Sequence, residues 1–94
     1  MQNFSLTGLS VLIVEDDPLL QRQTTATLEK LGADVSSAPE LRAARQFAAS
    51  LDFDFVLLDL NLPDGHGLDL LKERIFPANT GVVIMTAHSN VASA

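Results

Sequence analysis

The sequence predicts an α/β fold: a doubly wound parallel sheet with helices on both faces. Three observations predict it. Four short apolar runs are separated by three stretches of helical spacing. The third and fourth runs are apolar throughout their centres, the pattern of strands covered on both faces. Strands that alternate with helices in this way pair in parallel through right-handed crossovers.

The elements follow in order. Ser10–Val14 reads SVLIV and forms the first strand. Three acids follow at once, Glu15, Asp16 and Asp17. Asp17 fits a helix N-cap, and Pro18 fits the first turn, where a missing N–H is no loss. Leu20, Thr24, Thr27, Leu28 and Leu31 recur at helical spacing, and Gly32 suits the helix end. Residues 33–37 form a short second strand around Val35. Pro39 and Glu40 open a second helix, with Leu41, Ala44, Ala48 and Leu51 as its buried stripe. The alanines let this helix lie close to a sheet. Residues 53–60 read FDFVLLDL and give the third strand, centred on 55–58. Residues 61–67, NLPDGHG, are a loop rich in turn formers. Leu68, Leu70, Leu71 and Ile75 mark a third helix that ends before Pro77. Gly81–Met85, GVVIM, is the fourth strand, and residues 91–94 are suited to begin a fourth helix.

Composition sets bounds. A chain of 94 residues is expected to be one domain, spanning 1–94. Hydrophobic residues make up 47% and aromatics only 5%, so the core must be aliphatic. A net charge of −6 disfavours direct contact with nucleic acid or an anionic membrane, both polyanions. The absence of cysteine excludes disulfides, thiolate nucleophiles and cysteine-ligated zinc. The first ten residues lack a basic stretch followed by an apolar run, and no apolar stretch approaches bilayer length. The expectation is a soluble cytoplasmic protein.

In sheets of this class the functional crevice lies outside the carboxyl ends of the strands. Those ends carry Glu15 and Asp16, then Asp59, then Thr86. If the first and third strands are neighbours, Glu15, Asp16 and Asp59 converge. Carboxylates so close repel unless a cation lies between them, and no basic residue adjoins them in sequence. Oxygen-only donors favour a hard ion such as Mg²⁺ (or Mn²⁺). An ion there would neutralise and orient a phosphoryl group for attack by a carboxylate, which yields an aspartyl phosphate. Plainer readings stand beside this one. Asp17 belongs to the helix start. Asp16 or Asp59 alone would be explained by capping, solvation or a strand-end hydrogen bond, and Thr86 alone is ordinary. It is their combination that points to chemistry. His66 and His88 are loop residues without an assigned role. Gly65 and Gly67 are turn geometry. Phe4, Phe47, Phe53, Phe55 and Phe76 are read as packing.

Three blocks carry a resemblance. Val11-Leu12-Ile13-Val14-Glu15-Asp16-Asp17, then Leu57-Leu58-Asp59-Leu60-Asn61-Leu62-Pro63 followed by Gly67, then Val83-Ile84-Met85-Thr86-Ala87 resemble, in order and spacing, signature blocks of bacterial two-component response-regulator receiver domains (CheY-like). The likeness covers residues 9–90. It implies a flavodoxin-like fold, a doubly wound parallel sheet of strand order 2-1-3-4, and a phosphorelay signalling module. Such a module accepts a phosphoryl group from a sensor histidine kinase or phosphotransfer protein, and assists that reaction without being a turnover enzyme. By the resemblance, Asp59 is the phosphoacceptor and a metal ligand. Asp16 ligates Mg²⁺ directly, Glu15 through water, and the Asn61 backbone carbonyl completes the protein ligands. Thr86 is the switch hydroxyl, and Ala87 is the small residue that leaves the pocket open. The run Ile84-Met85-Thr86-Ala87-His88-Ser89 is similar to receivers of NtrC-type transcriptional activators. The family also carries a lysine at the end of a fifth strand. That strand, the final helix and most of the fourth helix have no counterpart here, and Lys30 and Lys72 fall elsewhere in the pattern. The domain is therefore expected to be incomplete at its C-terminus, with apolar surface left exposed.

Two other functions fit parts of the pattern. One is a non-switching interaction module, a pseudo-receiver, which would form a homodimer through the sheet edge at Gly81–Met85. The other is a Mg²⁺-dependent phosphatase, since Asp59-Leu60-Asn61 loosely resembles the Asp-x-Asp loop of haloacid-dehalogenase-like enzymes. Those enzymes place the loop after the first strand and carry a second aspartate where this chain has Asn61.

Overall fold

The computed structural model describes residues 5–85. The elements are β1 (Ser10–Val14), α1 (Pro18–Lys30), β2 (Asp34–Ala38), α2 (Leu41–Ser50), β3 (Phe55–Asp59), β4 (Asn61–Leu62), β5 (Gly65–His66), α3 (Leu68–Lys72) and β6 (Gly81–Met85). The main sheet has the order β2-β1-β3-β6, and every pair in it is parallel. With β6 as its fourth strand, this is the expected order 2-1-3-4. Strands β4 and β5 form a separate antiparallel hairpin.

Alternation along the strands builds two cores. Leu12, Val14, Val56 and Leu58 pack with Leu41 and Ala44 of α2 and Leu70 of α3. Val11 and Ile13 pack with Ala33, against Leu28 of α1, Leu57 and Met85. Leu12, Ile13, Val14, Val56 and Leu58 are fully buried, and each such side chain contributes about 1.5–3 kcal/mol relative to exposure. The central strands are thus held from both faces, which makes their carboxyl ends a rigid platform.

Helix α1 starts and stops where its sequence dictates. The Asp17 carboxylate accepts the N–H groups of Leu19 and Leu20 at 3.0 and 3.3 Å. At the other end Gly32 N–H donates to the Glu29 carbonyl and Ala33 N–H to the Leu28 carbonyl, which closes a Schellman motif. That motif needs a left-handed residue, and Gly32 has φ +99°.

Several expectations are corrected. Strand β2 starts one residue later than 33. Pro39 lies outside α2, because Glu40 is its extended N-cap residue. Leu51 does not join the buried stripe: it ends the helix in an extended conformation and is 50% exposed. Phe47 packs there instead, edge to face on Phe53, with ring centroids 6.4 Å apart. Helix α3 stops at Lys72, and Arg74 turns the chain with φ +57°, although Ile75 still packs on the core. Strands β3 and β6 are not covered throughout: Phe55, Val83 and Ile84 are exposed. The turn-rich loop after β3 contains the β4–β5 hairpin. Thr86, Ala87, His88, Phe4 and the start of a fourth helix lie outside the described residues. Among the described residues, no helix is long and apolar enough to cross a membrane.

Candidate metal centre

Strands β1 and β3 run side by side, with Val14 paired to Leu58 at the carboxyl end. The next residues, Glu15 with Asp16 and Asp59, therefore leave the sheet at one edge. Glu15 N–H donates to the Ala38 carbonyl at 3.0 Å, which extends the β1–β2 ladder one residue and fixes where Glu15 starts. Oxygens of Glu15, Asp16 and Asp59 all lie within 4.8 Å of one another. Glu15 and Asp59 are each 1% exposed, and Asp16 is exposed.

Local amides hold two of these carboxylates in place. Glu15 Oε2 accepts the Asp17 N–H at 2.9 Å, and Asp59 Oδ1 accepts the Asn61 N–H at 3.3 Å. The amino end of α1 begins two residues after Asp16, and its partial positive charge offsets part of the anionic charge. Three carboxylates within one coordination sphere still repel strongly at low local dielectric. The donor set is anionic and made of oxygen alone, with one exposed member that leaves room for water. It fits a hard divalent cation. The site can therefore hold a cation and present the Asp59 carboxylate beside it.

The loop that follows Asp59 is closed at its base. Gly67 N–H donates to the Leu60 carbonyl at 2.8 Å. A Cβ on Gly67 would run into the Asp59 carbonyl oxygen, so only glycine permits this approach. Residues 60–67 thus return to the strand they left. Asn61, the expected carbonyl ligand, is the first residue of β4 and pairs with His66 across the hairpin.

Three interactions around this loop were not foreseen. Asp64, at the hairpin turn, accepts the Leu41 N–H at 2.8 Å and the Arg42 N–H at 3.0 Å. Partial desolvation works to raise its pKa. Bonds from Leu41, Arg42 and its own N–H, together with the nearby Arg45 guanidinium, outweigh that and hold it below the usual carboxylate range. His66 Nδ1 accepts the Leu68 N–H at 3.2 Å, at the start of α3. Arg45 of α2 donates two hydrogen bonds to Glu73, which follows α3, both at 2.8 Å. This bond raises the Arg45 pKa and lowers that of Glu73. The pair is exposed and adds little to stability. The one sequence signal for Asp64 was indirect: Glu40 is a poor N-cap, so α2 lacked a local partner for its first amides.

Residues 11–94 match the family of response regulator receiver domains. The response regulator protein PilR of Pseudomonas aeruginosa is 36% identical over 85 residues, covering 88% of this chain and 19% of PilR. The curated relatives it matches are longer proteins, of which the chain spans from 9% to 39%. Among solved structures, the MaeR response regulator bound to beryllium trifluoride is 35% identical, with a TM-score of 0.76 over 87% of this chain and 70% of that one. The receiver domain of sensor histidine kinase PA1611 from P. aeruginosa PAO1, with a magnesium ion coordinated in its active-site cleft, is 28% identical. Its TM-score is 0.78, over 88% of this chain and 70% of that one.

Proposed function

The chain belongs to the response regulator receiver domain family, a family of signalling modules, and from that premise we propose that it accepts a phosphoryl group on Asp59 in the cytoplasm. The observation that supports this most is the meeting of Glu15, Asp16 and Asp59 oxygens within 4.8 Å at one sheet edge. The donor is a phosphohistidine on a sensor histidine kinase or phosphotransfer protein. An Asp59 carboxylate oxygen attacks phosphorus, the P–N bond breaks, and the imidazole leaves with the electron pair. Asp59 becomes an aspartyl phosphate. Asp16 and Asp59 would hold Mg²⁺ directly and Glu15 through water, with the Asn61 carbonyl as the remaining protein ligand. The ion supplies charge neutralisation for the incoming phosphoryl group. Burial of Asp59 limits water at the acceptor, while exposed Asp16 leaves the approach open. Thr86 is the hydroxyl that turns toward the phosphoryl group and carries the change to the surface. The chain assists one transfer to itself and does not turn over a substrate.

Incubation with phosphoramidate and Mg²⁺, followed by intact-mass analysis, tests this reading. The expected result is one added phosphoryl group on the wild type and none on Asp59→Asn. Uptake by Asp59→Asn, or no uptake by the folded wild type, would contradict it.

A second reading has its own support. Among the described residues β6 is an edge strand, with Val83 and Ile84 exposed, and such an edge favours pairing with a second copy. Sedimentation of a dimer that ignores Mg²⁺ and phosphoryl donors would favour this non-switching module; a monomer would remove it.

A further inference from the structure

A backbone carbonyl has no rotamers. Where it serves as a metal ligand, its position is set entirely by the path of the chain, and Mg²⁺ tolerates little deviation from octahedral geometry at about 2.0–2.1 Å. The path of residues 60–67 is fixed at two places. At the base, Gly67 is bonded to Leu60 and packed against Asp59. At the tip, the hairpin is fastened to the amino end of α2. Both carboxylate oxygens of Asp64 are engaged there, on two successive amides 23 and 22 residues away. Gly65 lies so close that a Cβ would come within 2.7 Å of Leu41 Cδ1. Between these two anchors stands Asn61, tied to the tip by the pairs Asn61–His66 and Leu62–Gly65. Helix α2 has no competing claim, because its own N-cap Glu40 makes no side-chain bond. The side-chain cap that α2 does receive comes from the loop beside the acidic cluster.

We propose that Asp64 is a positioning residue for the metal site: it fastens the β4–β5 hairpin to α2 and so fixes where the Asn61 carbonyl is presented. The inference rests on the reading that this carbonyl ligates Mg²⁺. It assigns Asp64 two effects that a single capping interaction would not have. Loss of Asp64 weakens α2, and it separately weakens metal binding. The two effects come apart when α2 is given a local cap. Residue 40 is already in the extended N-cap conformation, and a shorter acid there reaches the amides that Glu40 does not.

The test is titration of the full chain with Mg²⁺ alone, followed by calorimetry and amide NMR, beside thermal melting without metal. Wild type, Asp64→Ala, Asp64→Asn and the double variant Glu40→Asp/Asp64→Ala are compared. Asp64→Ala is expected to weaken Mg²⁺ binding about tenfold or more, the scale of lost outer-sphere support. Asp64→Asn, whose single amide oxygen is a weaker acceptor, is expected to fall between it and wild type, and it remains informative if the alanine variant does not fold. The double variant is expected to regain the thermal midpoint but not the affinity. Unchanged affinity in folded Asp64→Ala or Asp64→Asn would overturn the inference. So would recovery of affinity in the double variant, because a local cap would then suffice. If wild type itself fails to bind Mg²⁺, the metal reading of the acidic cluster falls, and this inference falls with it.

Discussion

Strand β3 has an aspartate at each end, Asp54 just before it and Asp59 as its last residue. At the amino edge, Asp54 Oδ2 accepts the Ser10 N–H at 2.8 Å, and Asp54 N–H donates to the Ser10 carbonyl at 2.8 Å. Its carbonyl accepts the Gly81 N–H at 2.9 Å. Asp54 therefore latches β1, β3 and β6 together, and Thr80 adds a hydroxyl bond to the Phe53 carbonyl. At the carboxyl edge, Asp59 meets two other acids, and among the described residues this is the one group of three acids with mutually close oxygens. Residue type and strand are the same, yet one aspartate closes a fold edge and the other belongs to a cluster that repels itself. Parallel topology makes the difference. It gathers the residues after β1 and β3 at one edge, where both strand ends carry acids, and it opposes Asp54 at the other edge with backbone amides.

The largest effect that separates the two ends is on phosphoryl uptake. Asp59→Asn is expected to abolish it and Asp54→Asn to leave it intact, as read by intact mass after phosphoramidate treatment. Equal loss in both would mean that uptake reports only folding. The next effect is on metal affinity. Asp16→Ala is expected to weaken Mg²⁺ binding by at least about tenfold, since even outer-sphere partners contribute that much, whereas Asp54→Ala leaves it unchanged.

Stability should then respond with opposite signs. Asp54→Ala removes the exposed hydrogen bond to the Ser10 amide and is expected to lower stability by about 1 kcal/mol. Asp16→Asn relieves repulsion and is expected to raise the metal-free melting temperature. Mg²⁺ at about 100 times its Kd should stabilise wild type by about 2.7 kcal/mol, and Asp16→Asn by less. A fall in the metal-free midpoint of Asp16→Asn would break the comparison.

The smallest effect concerns acid. The folded pKa of Asp64 lies below its ordinary value. Its contribution is therefore full above the unfolded pKa and is lost as pH falls through the lowered folded value. Amide shifts of Leu41 and Arg42, followed during acid titration, should move together with a midpoint below the usual aspartate range.

How far the sequence could be read follows the range of the interactions involved. Asp17-Pro18 and Gly32 mark the ends of α1 because both caps are local. The meeting of Glu15, Asp16 and Asp59 could be read because all three follow apolar runs, once β1 and β3 are taken as neighbours, as the resemblance implies and the pairing bears out. Features that depend on distant partners were hidden. The cap on α2 comes from Asp64: the poor N-cap Glu40 signals that a partner is missing, but not which distant residue supplies it. The β4–β5 hairpin is only two residues on each side and reads as loop, since Asn61, Gly65 and His66 lack any strand pattern. Leu51 kept helical spacing, yet α2 ends at Ser50 and leaves it exposed. His66, read as a bystander, accepts the first amide of α3 through Nδ1.

The central claim is that the edge at Glu15, Asp16 and Asp59, and not the opposite edge, is where the chain binds metal and phosphoryl. An amide correlation spectrum recorded without metal, with Mg²⁺, and with Mg²⁺ plus beryllium trifluoride tests it most directly. The account predicts shifts at residues 14–17 and 59–62 on adding Mg²⁺, further shifts there with the phosphoryl mimic, and unmoved signals at Ser10, Asp54 and Gly81. A spectrum that ignores both additions, or that moves most at the Asp54 edge, would contradict it.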